Sequence, residues 1–175
     1  MIRLESPRDL QKAGAISRAF TLQDACLVRL DAIRPVPMAE AASVQLETQF
    51  DEKSSRAVVL DSGNVLRVTV EFGVRAGLTK GTDFVTYVQV EGAFELDYRR
   101  FDARAQFEDT DRQVFARING VHNAWPYIRE VVANLFGRLG YPPFTLESLV
   151  IVPAPAPTVE SAPVAPNRPT AAGRN

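Results

Sequence analysis

The sequence predicts an α+β domain in which an antiparallel β-meander sheet of four to five strands is packed by a C-terminal helix layer, with a short N-terminal helix and a disordered Pro/Ala-rich tail. Three observations carry this prediction. Apolar and polar residues alternate through the middle of the chain, as in strands with one buried face. After residue 101 the apolar spacing becomes that of an amphipathic helix. Beyond residue 152, proline and alanine dominate and aromatic residues are missing.

The composition is that of a globular protein without a polyanionic partner. Hydrophobic residues make up 46% of the 175 residues and charged residues 23%. The net charge of −1 gives no reason to expect nucleic acid as a partner. The N-terminus lacks the uninterrupted apolar region of a signal peptide, and no apolar run approaches the roughly 20 residues of a membrane-spanning helix. We therefore expect a soluble, cytoplasmic protein without membrane insertion.

The first element is predicted to be a helix within an N-terminal extension, residues 1–19. Ser6 fits an N-cap, Pro7 the first helical position and Asp9 an acidic residue in the first turn. Leu10 and Ala13 form a weak apolar stripe on one face. The sequence therefore predicts a short helix docked on the rest of the chain.

The first strand, residues 20–33, has an alternating pattern that places Leu22, Cys26, Val28 and Leu30 on one side. Cys26 is the sole cysteine, so an intrachain disulfide is excluded. A thiol among apolar neighbours on a strand is most often buried and inert. We therefore predict a structural role for Cys26.

Three further strands follow, separated by short, turn-rich connections that favour antiparallel pairing of neighbours. Gly92 interrupts the last of them and indicates either a bulge or a close backbone approach. The predicted ranges are 43–50, 66–75 and 84–98.

The helix layer is predicted in two parts. Asp109 and its polar neighbours offer caps for a first segment, which Asn119 and Gly120 weaken before Pro126 restarts the helix. Gly140 fits the position after the helix end. The second part carries a wide apolar stripe suited to packing on a sheet: Ile128, Val131, Val132, Leu135, Phe136 and Leu139.

Few residues are candidates for catalysis. His122 is the sole histidine, so a site with several imidazole ligands is excluded, and no nucleophile motif accompanies it. Glu91, Glu95 and Asp97 share one side of the last strand. Glu95 and Asp97 could serve a small α+β enzyme in acid/base work, although a row of acids on a strand is usually its solvated face. We predict no enzyme, no cofactor and no metal site.

The aromatic residues exceed what one core face needs. A sheet with one helix layer has one natural core face, so aromatic residues in loops and at helix ends are left for an interface or a groove. These residues are Trp125, Tyr141 and Phe144.

Several motifs, in order, resemble those of one family. VLRVTV at 65–70 and VQVEGAF at 88–94 are similar to its third and fourth strands. WPYIRE at 125–130 matches an aromatic-Pro-Tyr-x-Arg-Glu helix start, and GYPPFTL at 140–146 matches a Gly-aromatic-Pro-x-x-x-Leu loop. The family is that of SecB and SecB-like protein-export chaperones, and the resemblance covers roughly residues 20–150.

The resemblance implies an ATP-independent holdase, without cofactor, that binds unfolded client polypeptides in protein export and translocation. It implies a homotetramer built as a dimer of dimers. The SecB-like chaperone domain would span residues 20–152, followed by the disordered tail, residues 153–175. The implied client groove comprises Phe50, Phe94, Trp125, Tyr127, Phe144 and Leu146. Oligomer or helix contacts are assigned to Arg129, Glu130, Val68 and Val70.

The sequence departs from the family at its C-terminal end. In the family a C-terminal helix contributes to contact with the translocation motor SecA, whereas here residues 149–152 lead directly into the Pro/Ala tail. Docking to SecA is therefore doubtful. A SecB-like chaperone that serves another client, such as an antitoxin, is an alternative, and a non-chaperone interaction module is a third possibility.

Overall fold

Two sheets and three helices build the described part of the chain, which comprises residues 1–35, 46–141 and 145–155 of this computed structural model. A π-helical turn, Ala116–Gly120, joins the second helix to the third. The elements in chain order are β1 (Ile2–Glu5), α1 (Pro7–Ser17), β2 (Phe20–Ile33), β3 (Glu47–Leu60), β4 (Val65–Lys80), β5 (Asp83–Arg100), α2 (Asp109–Phe115), α3 (Val121–Arg138) and β6 (Val150–Pro153).

The main sheet has the strand order β2-β5-β4-β3, and each neighbouring pair is antiparallel. The predicted α+β class and antiparallel sheet are confirmed. Strands β3, β4 and β5 form the predicted meander, whereas β2 lies beside β5, so the four strands have a Greek-key order. The second strand, predicted at 43–50, begins at Glu47 and extends to Leu60. Positions 43–45 of that prediction lie outside the described residues.

The core lies between the sheet and the helices. On β4, every second side chain from Leu66 to Ala76 is fully buried. Gly92 on β5 allows the close approach predicted from the sequence, because a Cβ there would lie 2.7 Å from the Phe72 ring and 2.9 Å from the Arg29 carbonyl oxygen. The buried residues of α3 are Val121, Ala124, Trp125, Ile128, Val132 and Phe136.

The predicted burial of Cys26 is wrong, because β2 contains two irregularities. The register against β5 shifts between Leu22 and Asp24 and again between Leu27 and Arg29. Each shift exchanges the faces of the residues that follow. As a result Cys26 is exposed, while Leu27 is partly buried against the core.

The predicted helix restart at Pro126 is also wrong. The chain stays helical from Asp109 to Arg138 through the π turn, and Pro126 lies inside α3. Burial of the π turn against β4 outweighs the weak helix propensity of Asn119 and Gly120. The helix layer therefore covers the sheet as one bent element.

The predicted N-cap of the first helix, Ser6, and the predicted residue after the end of the last helix, Gly140, are both confirmed. Ser6 caps α1 by accepting a hydrogen bond from the Asp9 backbone N–H at 3.1 Å. Gly140 has a φ of 81°, and the Tyr141 N–H donates to the Phe136 carbonyl at 3.0 Å. This is a Schellman motif, and it turns the chain back toward the sheet. No helix in the described ranges is both long and apolar enough to cross a bilayer.

A second sheet, which the sequence did not predict, consists of β1 and β6 in parallel. Ion pairs hold this small sheet against the main sheet and the helices. Glu5, 5% exposed, pairs with Arg3 and Arg117, and these arginines also reach Glu52 on β3 and Asp9 on α1. The two segments are short, so their alternation is too brief to read from sequence. Whether residue 19 marks a domain boundary remains a prediction.

The face of the main sheet that points away from the helices is charged. Arg67 on β4 makes two 2.7 Å hydrogen bonds to the Asp97 carboxylate and lies 3.1 Å from Glu95. The hydrogen bonds from Arg67 lower the pKa of Asp97, and the hydrogen bond from Lys53 lowers the pKa of Glu91. A general acid needs a raised pKa, so Glu91 and Asp97 fit a solvated, ion-paired face.

The helix–sheet contact at Gly120 yields a stability prediction. A Cβ at Gly120 would lie 2.5 Å from Val68 Cγ1, whereas a Cβ at Gly137, in the same helix layer, has no atom within 4 Å. We expect Gly120→Ala to lower the free energy of unfolding by about 1–3 kcal/mol through overpacking. Gly137→Ala should raise it by about 0.5–1 kcal/mol. Urea denaturation measures the free energy of unfolding of both variants. The same change in both would contradict the contact between Gly120 and Val68.

The Arg67–Asp97 pair yields a prediction about pH. Since the pKa of Asp97 lies below its ordinary 3.8, the pair stabilises the fold above that pH and the contribution is lost as pH falls through the folded-state pKa. We expect Asp97→Asn to cost about 0.5–1 kcal/mol at pH 7, a difference that closes below about pH 4. Asp51→Asn, on the same face, should change little. A pH-independent loss would count against the pair.

Candidate functional site

A cleft of about 760 Å³ opens between the start of β3, the first turns of α3 and the segment that follows the Schellman motif. Apolar side chains form its floor, and the N-terminal residue borders it. The lining includes Met1, Leu46, Thr48, Phe50, Trp125 and Leu146. We call this space the Trp125 cleft.

The floor of the Trp125 cleft is held by specific contacts. The Trp125 ring meets the Phe50 ring edge-on, with centroids 4.6 Å apart and an interplanar angle of 84°. The indole Nε1–H of Trp125 donates to the Glu147 carbonyl at 3.0 Å. This bond fixes Leu146, the preceding residue, against the core with 4% exposure. Trp125, which is 5% exposed, and Leu146 therefore form a fixed inner wall of the cleft, and the partly buried Phe50 is the most exposed of the three residues.

The rim of the Trp125 cleft carries two carboxylates and the N-terminal ammonium group of Met1. Glu47 and Glu147 border it, and the Glu47 carboxylate accepts a 2.8 Å hydrogen bond from the Thr79 hydroxyl. Glu147 is 86% exposed, and its carboxylate pairs with the Met1 ammonium group at 2.9 Å. No cysteine or histidine is among the described residues that line the cleft. The arrangement is suited to non-covalent binding of apolar side chains.

The predicted groove residues do not share one cleft. Phe50, Trp125 and Leu146 line the Trp125 cleft. Phe94 lies on β5, its ring 6.0 Å from Phe72 and 6.0 Å from Tyr127, and is only 3% exposed. Tyr127 is 37% exposed. The sixth predicted residue, Phe144, lies outside the described residues.

Phe94 and Tyr127 belong to a second apolar surface on the β2 side of the helix layer. Leu27 on β2 pairs with Phe94, and Leu30 pairs with Gly92 two positions along β5. Leu30 is 37% exposed. Since β2 and β3 are opposite edges of the sheet, this surface and the Trp125 cleft lie on opposite flanks of α3.

The predicted oligomer or helix contacts have different surroundings. Val68 and Val70 are fully buried beneath the π turn, so they contact the helix layer and offer no surface to a second copy. Glu130 is exposed, and Arg129 has a buried Nε without a hydrogen-bond partner in the described part of the chain. A role for Arg129 and Glu130 in oligomer contacts stays a prediction.

Sequence reasoning missed Leu46 and the two rim carboxylates. A signal for Leu46 existed, because Leu46, Thr48 and Phe50 are every second residue and therefore share the inward side of this extended segment. Glu47 and Glu147 had no such signal, since their meeting at one rim depends on how the chain folds back after α3.

Comparisons with known proteins support the fold. No family model matches the chain. It is 28% identical over 152 residues to the SecB-like chaperones Rv1957 and MT2006 from two strains of Mycobacterium tuberculosis, covering 81% of this chain and 84% of each relative. The solved structure of Rv1957 in complex with a ChAD peptide from the Rv1956 HigA1 antitoxin matches with a TM-score of 0.65 at 18% identity, over 80% of this chain and 98% of that one. The resemblance found in the sequence is thus confirmed: the chain is similar in sequence to SecB-like chaperones across about four fifths of its length, and it has their fold.

Proposed function

We propose that this protein is an ATP-independent holdase that binds non-native polypeptides, with the Trp125 cleft as one client site. The observation that carries the proposal is the preorganised apolar floor formed by Phe50, Trp125 and Leu146 beneath an open space. The sequence relatives are named as SecB-like chaperones, which supports the same function. Binding and release need no cofactor and no covalent step.

Each client contact is proposed to be weak by itself. Full burial of one large apolar side chain contributes about 1.5–3 kcal/mol, and ordering of the client offsets much of that gain. Useful affinity therefore requires several linked sites. We propose that the surface around Tyr127 is a second client site and that a homotetramer, assembled as a dimer of dimers, presents several copies of both.

Two classes of client follow from this proposal. The first is preproteins held for translocation from the cytoplasm. The second is an antitoxin, and the specific observation in its favour is that the Rv1957 relative was solved with an antitoxin peptide. Within the described ranges, no helix follows α3 that would match the family's contact with SecA. This arrangement favours a client other than one delivered to SecA.

The cleft can be tested with a charge placed on its apolar wall. Leu46→Asp, at a partly buried position that lines the cleft, should weaken binding of an unfolded client about 5- to 30-fold, because the carboxylate would be desolvated beside apolar groups. Val58→Asp is a matched control on β3, the strand that Leu46 directly precedes, at a position 49% exposed and outside the cleft. Light scattering of an aggregation-prone client measures suppression by each variant.

The light-scattering results test the holdase proposal and the assignment of the Trp125 cleft separately. The wild type and Val58→Asp should suppress aggregation, and Leu46→Asp should do so poorly at the same concentration. Absence of suppression by the wild type would refute the holdase proposal. Equal suppression by both variants would remove the Trp125 cleft as a client site and leave the Tyr127 surface.

The range of clients can be tested by affinity capture from a host lysate under conditions that unfold part of the proteome. Recovery of many unrelated proteins is expected of a general holdase. Capture of one antitoxin in fixed ratio is expected of a dedicated chaperone. Recovery of one folded partner, with no binding of unfolded chains, would instead support a non-chaperone interaction module.

A further inference from the structure

A second groove, separate from the Trp125 cleft, lies where α1 and the π turn meet β6. Its volume is about 420 Å³. Leu10, Ala13 and Gly14 line it from α1, and Ile118, Leu149 and Val150 line it from the other side. We call it the α1 groove.

The apolar surface of the α1 groove continues onto the small sheet. Leu4 is 59% exposed and Val150 is 48% exposed. The register pairs Leu4 with Val152, two residues beyond Val150, so all three side chains share one face of the two strands. The groove and this face share Val150, and exposed apolar groups of this kind can bind other polypeptides.

One charged side chain, that of Arg18, lies beside the α1 groove but outside the residues that line it. Arg18 places Nη1 3.8 Å from the position of a Cβ on Gly14, at the edge of the groove. Arg18 is exposed and forms no ion pair within the described ranges. His122, exposed on the opposite wall, offers imidazole nitrogens for hydrogen bonding. The described lining contains no aspartate or glutamate.

The Trp125 cleft has a different charge pattern, since Glu47 borders it without an ion-pair partner in the described part of the chain and Glu147 pairs with the Met1 ammonium group. A client that is basic, or that is neutral and apolar, suits the rim of the Trp125 cleft. Such a client has no carboxylate that could pair with Arg18. A segment with carboxylates beside its apolar residues suits Arg18 and is disfavoured beside the Glu47 carboxylate. Arg18 and Glu47 therefore favour polypeptides of opposite charge at the two grooves.

We propose that the α1 groove is a docking site for a partner protein, through an apolar segment flanked by aspartate or glutamate residues. The tail of this chain, residues 156–175, is a poor charge match, because it contains Glu160 against Arg168 and Arg174. The partner is thus a separate protein with an acidic apolar segment, bound at a surface that clients of the Trp125 cleft do not use.

The test uses the full-length chain and two fluorescein-labelled peptides in an anisotropy titration. The probe has the sequence ELLDILE, and its control has lysine at each acidic position. We expect the acidic peptide to bind at least fivefold more tightly than the basic one, with the difference shrinking at high salt. Equal binding of the two peptides would overturn the proposal.

Three variants identify where the acidic peptide binds. Gly14→Leu should abolish binding, because its side chain has room to enter the groove, where no atom lies closer to the Cβ position than 3.8 Å. Arg18→Glu should weaken binding about threefold to tenfold. Arg8→Glu makes the same charge change at an exposed position near the opposite end of α1, so it is the matched control and should change little. Unchanged urea midpoints establish that the variants fold.

Three results would overturn the proposal. Loss of binding in Leu46→Asp but not in Gly14→Leu would place the peptide in the Trp125 cleft. Tighter binding after removal of residues 156–175 would identify the tail as the native occupant. A concentration-dependent dimer that Gly14→Leu abolishes would identify a second copy as the occupant. Because aggregation suppression depends on Leu46 and peptide binding on Gly14, either proposal can fail without the other.

Discussion

The close contact between Gly120 and Val68 sets how the helix layer lies on the sheet, and the rest of the structure depends on it. A side chain at Gly120 would occupy the space of Val68 Cγ1, so the π turn lies directly on β4. The extra residue of a π turn rotates everything after it relative to the helix before it. Phe115 before the turn and Val121 after it are both buried as a result. The position of α3 above the sheet, and of every side chain it carries, follows from this contact.

The α-helical period then explains why the aromatic residues of the WPY motif separate. Trp125 and Tyr127 are two positions apart, and two residues rotate by about 200° around a helix. With α3 fixed over the centre of the sheet, Trp125 must point toward the β3 edge and Tyr127 toward the β2 edge. The partners observed for the two rings, Phe50 and Phe94, lie on those two sides. A motif that is continuous in sequence therefore supplies two surfaces.

The elements predicted from the sequence are those in which one period continues for many residues. Strands β4 and β5 and the stripe of α3 are long, regular and buried on one side, so local alternation and tertiary burial agree. The failures occur where a single residue breaks the period. The bulges of β2 exchange the faces of Cys26 and Leu27, and the π turn carries the helix through Asn119 and Gly120. Such breaks are stabilised by distant contacts, which a local pattern does not contain.

Each candidate site also has a part that a local sequence pattern predicts and a part that depends on distant contacts. The floor of the Trp125 cleft could be predicted from inward alternation on β3 and from the aromatic start of α3, whereas its charged rim depends on a chain reversal after the Schellman motif. The α1 groove depends even more on tertiary structure, because β6 reaches it only by pairing with β1, and the ion pair between the buried Glu5 and the partly exposed Arg117 holds that pair in place. Removing a partner from a buried ion pair is strongly destabilising, so this network favours one fixed position for β1 over several loose ones. A rigid small sheet in turn keeps the α1 groove open beside the helix layer, on a part of the surface that the Trp125 cleft does not reach.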